Sequence, residues 1–290
     1  MATMEDRIAH LLAHPDFDDV AHGLASGFLA VQEAAPRLAS LFSTQQRWLM
    51  SHVALARYFY AVRAGRPGLS RREFLEDLQP FGLSSRNTAA AFFDEVLHYG
   101  IVHPVAATGR ASDVVVPAPA TLSALAEWFS IHLGALDRLD GGDRLARLRQ
   151  DQEPLLATLQ PLVAAALLGN TTIRTLPPSY AIFALIDDGG SLMDRLIAGL
   201  DIAAPPQARA PTRITSVSAL ARGLGLSRTH AGRTIAAAAA IGALGWDGAP
   251  GRSRLWLSRT FRDEYVRVQA TKLAIIADAF STAAGKADSA

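Results

Sequence analysis

The sequence predicts a mainly α fold: two tandem winged helix-turn-helix units with flanking long helices and small β-hairpin wings. Three observations predict it. Residues 214–259 read as a short strand, a helix, a tight turn at Gly225-Leu226-Ser227, a second helix and a hairpin. A weaker copy of that order lies over residues 68–117. Helical periodicity fills most of what remains, so the strands expected are those of the two wings and the short one ahead of the second helix pair.

The elements follow in order. Residues 17–41 have apolar positions at helical spacing, interrupted at Pro36. Residues 45–64 form a second helix carrying Trp48, Leu49, Val53, Leu55, Tyr58 and Phe59. Residues 69–78 and 85–99 are the first helix pair, opened by a capping box of Ser70 and Glu73. Residues 101–116 are its hairpin, turning at Thr108-Gly109-Arg110. A helix over 121–139 then ends at Asp140-Gly141-Gly142. The second half repeats the pattern with helices over 143–168 and 179–200 and a Pro-rich linker. Ser216 and Ser227 are placed to cap the next helix pair, and Gly225 supplies the permissive backbone of the turn between them. Asp247-Gly248 and Pro250-Gly251 turn the second hairpin before the alternating run Leu255-Trp256-Leu257. A last helix covers 260–284, and the tail from Gly285 is expected to fray. The run Ala236 to Ala240 is read as a small-volume helix face packed on a neighbour.

The two halves look like one domain duplicated in tandem. Gly82-Leu83-Ser84 matches Gly225-Leu226-Ser227 at an offset of 143, and Gly100 matches Gly242. Upstream, Leu41, Arg47 and Leu49 pair with Leu168, Arg174 and Leu176 at an offset of 127. The second half therefore carries about 16 extra residues between Asp187 and Ala210. On this reading the domains are 1–140, helical, winged and less basic, and 141–290, helical, winged and basic.

Composition narrows the class. Of 290 residues, 50% are hydrophobic and 19% charged, which supplies two sizeable cores. With no cysteine, disulfides, thiolate metal sites and cysteine nucleophiles are excluded. The N-terminal residues are acidic where a signal peptide is basic. The most apolar stretch, 155–168, is too short for a membrane span and holds Gln160 and Pro161. A cytoplasmic protein with no membrane partner is expected. No phosphate loop or nucleophile elbow is present, and Asp18-Asp19 and Asp187-Asp188 are poor catalytic pairs because adjacent helix positions face apart. No enzyme activity and no cofactor are expected. His10 and His14 stand four apart, a spacing able to bind metal, but no zinc-type motif accompanies them and solvated histidines are the favoured reading.

The net charge of +1 hides an uneven distribution. Residues 1–140 hold 11 Arg against 15 acids, a balance of −4, and the remainder is +5. Residues 205–267 carry 10 Arg against 3 acids, or +7, whereas 66–117 carry 5 against 6, or −1. Such a basic patch is the electrostatic footprint of phosphate binding, and double-stranded DNA is the partner it implies. Arg228, Thr229, His230 and Arg233, following Ser227, occupy the first turns of the second recognition helix, where base edges come within reach. Arg reads guanine bidentately, and Thr contacts a thymine methyl or a phosphate. Arg252 and Arg254 alternate along a strand and would share one face of the wing. Ser85, Arg86 and Asn87 hold the equivalent place in the first unit, and Arg110 its wing, but acidic neighbours leave plain surface as an equal reading.

Helices before and after a helix-turn-helix, a hairpin with Asp247, Arg252 and Arg254, and the strand leading into a C-terminal helix resemble the MarR-type transcriptional regulators. That resemblance implies terminal helices that pack two subunits together, hence a possible homodimer or, here, one chain imitating a dimer. It also implies wings in the minor groove and release of DNA on binding a small aromatic ligand. The first unit departs from it, with Asp94, Glu95 and Asp113 opposing phosphate. A small apolar or aromatic effector would be sought near Trp48, Tyr58, Phe59, Tyr60, Trp128 and Phe129, although aromatic core explains most of these. The expected function is a ligand-responsive DNA-binding transcriptional regulator. The alternative is a non-catalytic winged-helix scaffold for protein interaction, favoured by the −1 window.

Overall fold

A computed structural model describes residues 3–105, 113–201, 207–250 and 252–287. It is mainly helical, with two small antiparallel sheets. The chain opens with α1 (Met4–Leu12), started by a Thr3–Asp6 capping box. α2 (Phe17–Ala34) stops at Ala35 and α3 (Pro36–Leu41) restarts on Pro36, whose missing N–H costs nothing in a first turn. α4 (Gln45–Arg63) is continuous. β1 (Leu69–Ser70), α5 (Arg71–Leu78), a 3-10 turn (Gln79–Phe81), α6 (Arg86–His98), β2 (Val102–Pro104) and β3 (Val114–Pro117) follow. After α7 (Pro119–Asp140) come α8 (Arg144–Gln150), α9 (Gln152–Gly169), α10 (Thr171–Arg174), α11 (Pro178–Ala184) and α12 (Gly189–Ala198). The chain finishes with β4 (Arg209–Pro211), α13 (Val217–Ala221), α14 (Arg228–Ala240), β5 (Leu244–Trp246), β6 (Leu255–Ser258) and α15 (Arg259–Ala287). None of the described helices is long and apolar enough to cross a membrane.

Two expected helices are broken. The span 143–168 divides at Asp151 into α8 and α9, three residues before Pro154, which sits in the first turn of the new helix rather than inside an older one. The span 179–200 divides into α11 and α12 at Asp188, which has a φ of 54°. There the chain folds so tightly that a Cβ on Gly189 would stand 2.0 Å from the Phe183 carbonyl oxygen. The short strand expected from Ile214 lies earlier, as β4 within the expected linker, and the tail beyond Ala287 lies outside the described residues.

Each hairpin gains a third strand from ahead of its helix pair, giving sheets of order β1-β3-β2 and β4-β6-β5. Leu69 pairs with Val115 in one, and Ala210 with Leu257 in the other. The helices α6 and α14 have 13 residues each. Their caps are Ser85, accepting from the Thr88 amide at 3.1 Å, and Ser227, accepting from the His230 amide at 3.1 Å. The cap equivalent to Ser227 is therefore Ser85 and not Ser84. The turn after Gly82 holds one residue more than the turn after Gly225, and the Ser84 hydroxyl lies against Met50 Sδ instead.

Packing divides the chain into two compact units. One comprises Met1–Thr44, Arg138–Asp140 and Thr175–Ala274; the other comprises Gln45–Asp137, Gly141–Arg174 and Ile275–Ala290. Each draws on both sequence halves. In the first, α2 lies along α12, burying Phe17, Val20 and Leu24 with Leu192 and Leu196. Phe183 stacks on Phe261, with ring centroids 5.3 Å apart, beneath the α13–α14 pair. In the second, α4 lies along α9, burying Leu49 and Val53 with Leu156, Leu159 and Val163, while Phe74 meets Phe93 under the α5–α6 pair. The apolar stretch 155–168 is thus a packed helix face.

Candidate nucleic-acid interface

The α13–α14 pair is built by local chemistry. Ser216 Oγ accepts from the Ala219 amide at 3.1 Å and starts α13. Gly225 at φ +68° carries the turn, tight against Asp188, whose Oδ2 would stand 3.2 Å from an added Cβ. Ser227 then caps α14. Ala231, Thr234, Ile235 and Ala238 face the core, and Arg228, Thr229 and Arg233 are exposed on the other side. His230 is half-buried and lines, with Arg233, Thr234 and Ala237, a shallow groove against Ile182 of α11 and Ile186 in the turn after it. Of the alanine run only Ala238 is buried; Ala236, Ala237, Ala239 and Ala240 are exposed, so the run does not serve as a packing face.

The hairpin tip is closed by the Asp247 amide donating to the Arg254 carbonyl at 3.0 Å and the Arg252 amide donating to the Ala249 carbonyl at 3.0 Å. Arg252 and Arg254 are exposed, but they belong to this tip; β6 begins only at Leu255, so strand alternation does not put them on one face. The sheet behind is fixed by a three-layer stack. Arg209 lies over the Trp256 ring at 4.4 Å, and the ring in turn covers Gly245, where a Cβ would meet it at 2.4 Å. The Thr212 hydroxyl donates to the Leu255 carbonyl at 2.7 Å and anchors the entering segment.

Among the described residues none of Arg222, Arg228, Arg233, Arg252 and Arg254 has a carboxylate partner. Arg222, in the turn before Ser227, was not singled out from sequence, although the +7 window contains it. Acids also stand on this side: Asp247 is exposed on the hairpin tip, and Asp187 and Asp188 lie near the start of α14. Burial, Asp187 and, in the opposite sense, His230 act on Asp188, and its carboxyl is held above the ordinary range. Asp187 is exposed; both acids lie in the turn between α11 and α12 and not on a helix.

The α5–α6 pair has the same outline and the opposite electrostatics. Arg71 reaches Asp94 at 2.7 Å, Arg47 holds both oxygens of Glu95 at 3.2 and 2.7 Å, and Arg72 reaches Glu76 at 2.8 Å. Arg66 and Arg57 both close on Glu73, at 2.7 and 3.3 Å, and Arg57 also meets Asp77 at 3.4 Å. Ser85 is spent on its cap and on Thr88 Oγ1 at 2.9 Å, while Arg86 and Asn87 remain exposed. Arg110 and the turn around it lie outside the described residues.

The region expected to hold an effector contains rings packed on one another. Trp48 meets His52 at 4.7 Å, His52 meets Trp128 at 5.1 Å and Trp128 meets His132 at 4.1 Å. Tyr60 is exposed. At the N-terminus, His14 Nδ1 accepts from the Asp16 amide at 3.2 Å, in the turn that follows α1. Comparison with protein-family models, with curated proteins and with solved structures returned no match.

Proposed function

We propose that the chain is a cytoplasmic, non-catalytic transcriptional regulator of MarR-like organisation. Its β1–α5–α6–β2–β3 and β4–α13–α14–β5–β6 segments act as winged helix-turn-helix units, and the second of them grips duplex DNA. One observation carries this reading. Arg228 and Arg233 on α14, with Arg252 and Arg254 on the hairpin tip, are exposed and unpaired among the described residues, at the two places where such a unit meets a duplex. Open guanidiniums keep their full charge and their forked donors for phosphates and guanine edges.

Titration of duplex genomic fragments by fluorescence anisotropy at several salt concentrations tests it. If about four arginines neutralise phosphates, log K should fall with log salt at a slope of roughly −3 to −4. A flat dependence, or no binding at low salt, gives preference to a protein-interaction scaffold. That second reading is favoured by the ion pairs that discharge the α5–α6 surface and by the exposed Tyr99 beside it.

A further inference from the structure

We propose that the cavity bordered by α4, α8, α9 and the end of α15 is a binding site for a small carboxylate with an apolar body. The cavity is half open, lies within the second unit and measures about 470 Å³, a size that accepts small molecules. Two guanidiniums border it: Arg63 from the last turn of α4 and Arg147 from the last turn of α8. Neither has a carboxylate partner among the described residues, although Asp151 borders the same cavity. Around α5 and α6, by contrast, Arg57, Arg66, Arg71 and Arg72 each close on an acid.

The Arg147 guanidinium lies over the Phe280 ring, 5.3 Å from its centroid. A ring contact takes up no ordinary hydrogen-bond acceptor, so the N–H donors of Arg147 stay available to one. Pro154, Leu155, Ala283 and Ala284 supply apolar surface beside the two cations. Two arginines against Asp151 leave one net positive charge, which matches a monoanion. A carboxylate fits the guanidinium fork with two parallel hydrogen bonds, whereas a phosphate dianion would bring excess charge towards Asp151. The site stands apart from the DNA reading, since its test contains no DNA.

Isothermal titration of the full chain with benzoate and with hexanoate, against benzamide, hexanamide and inorganic phosphate, decides the matter. The carboxylates should bind, and the amides and phosphate should bind at least about tenfold more weakly, a difference of about 1.4 kcal/mol. Arg63→Ala and Arg147→Ala should each weaken carboxylate binding by a similar factor. Arg149→Ala, an exposed position on the same helix that does not border the cavity, should leave it unchanged. If Arg147→Ala unfolds by circular dichroism, Arg63→Ala and the cavity-filling Ala284→Phe carry the test, the latter expected to abolish binding. Absence of carboxylate binding in the millimolar range overturns the proposal. So do equal binding of the amides or phosphate, and affinities in the arginine variants equal to that of Arg149→Ala.

Discussion

Arginines with and without acids distinguish the two helix pairs residue by residue. On the proposed reading, Arg228→Ala with Arg233→Ala should weaken DNA binding more than Arg86→Ala with Arg110→Ala. The first pair removes open charge from a basic surface. In the second, Arg86 opens the helix whose Asp94 and Glu95 already hold Arg71 and Arg47. Each lost base contact should cost on the order of 1–3 kcal/mol and relax specificity at one position. Titration of both double variants on one duplex checks this, and equal losses would mean that both helix pairs touch DNA. A different residue effect sits in the first unit's core. Tyr265 is fully buried and donates its hydroxyl to Asp194 at 2.8 Å. Burial pushes the Asp194 carboxyl from 3.8 up to about 7, against the Tyr265 hydrogen bond and the Lys272 charge. The folded chain therefore keeps a proton that the unfolded chain releases near its ordinary value. Stability contributed by this group is full below about pH 4 and declines as pH rises towards 7, by up to about 1.4 kcal/mol per pH unit. Lys272 acts with the opposite sign at higher pH, because burial lowers it from 10.5 to about 8 and the unfolded chain then holds the extra proton. Urea denaturation from pH 4.5 to 7 should show the decline in the wild type and a flatter profile in Asp194→Asn.

At the scale of elements, the hairpin of the second helix pair depends on the stack of Arg209, Trp256 and Gly245. An alanine at 245 would place its Cβ 2.4 Å from the Trp256 ring, so Gly245→Ala must displace the indole and with it the Arg209 contact. Overpacking of this kind costs about 1–3 kcal/mol, to be read as a loss in urea midpoint and as a change in Trp fluorescence. The sequence made this hairpin legible through Asp247-Gly248 and the alternating Leu255-Trp256-Leu257, and made the helix ends legible through Ser216, Ser227, Ser70 and Pro36. These signals are local: a cap, a turn dipeptide and a missing N–H act within one or two turns of backbone. What escaped was set by distant partners. The third strand of each sheet depends on pairing β1 with β3 and β4 with β6, 46 and 47 positions apart at the Leu69–Val115 and Ala210–Leu257 contacts, so local pattern marks no strand at Leu69 and sets the one before the second helix pair at Ile214 instead of Arg209–Pro211. The break before α12 rests on Gly189 approaching the Phe183 carbonyl, and Asp188-Gly189-Gly190 is a turn signal that the expected single helix over 179–200 overrode. Of the candidate interface, the residue types and their exposure were legible from charge. The pairing of Arg47, Arg57, Arg66, Arg71 and Arg72 with acids was not, because it needs the three-dimensional neighbours of each side chain.

The molecule as a whole is assembled from segments that alternate between its compact units. The two sequence halves meet near Asp140-Gly141, yet α2 from the first half packs along α12 from the second, within one unit. In the other unit α4 from the first half packs along α9 from the second. A cut between residues 140 and 141 would therefore separate both helix pairs. It would leave Phe17, Val20, Leu24, Leu49 and Val53 on one fragment without Leu192, Leu196, Leu156, Leu159 and Val163 on the other. Burying a side chain of this size stabilises a fold by about 1.5–3 kcal/mol, and a domain's net stability is only about 5–15 kcal/mol. Ten such residues amount to about 15–30 kcal/mol before any discount for the residual compactness of an unfolded chain, which matches or exceeds that margin. Expressed alone, residues 1–140 and 141–290 should each lack a cooperative thermal transition and expose apolar surface that binds a hydrophobic dye. Mixed or co-expressed, they should associate one to one and recover the helical signal and the cooperative unfolding of the intact chain. A half that unfolds cooperatively by itself as a monomer would show that its own helices suffice for a core, and that packing between α2 and α12 or between α4 and α9 is dispensable to it.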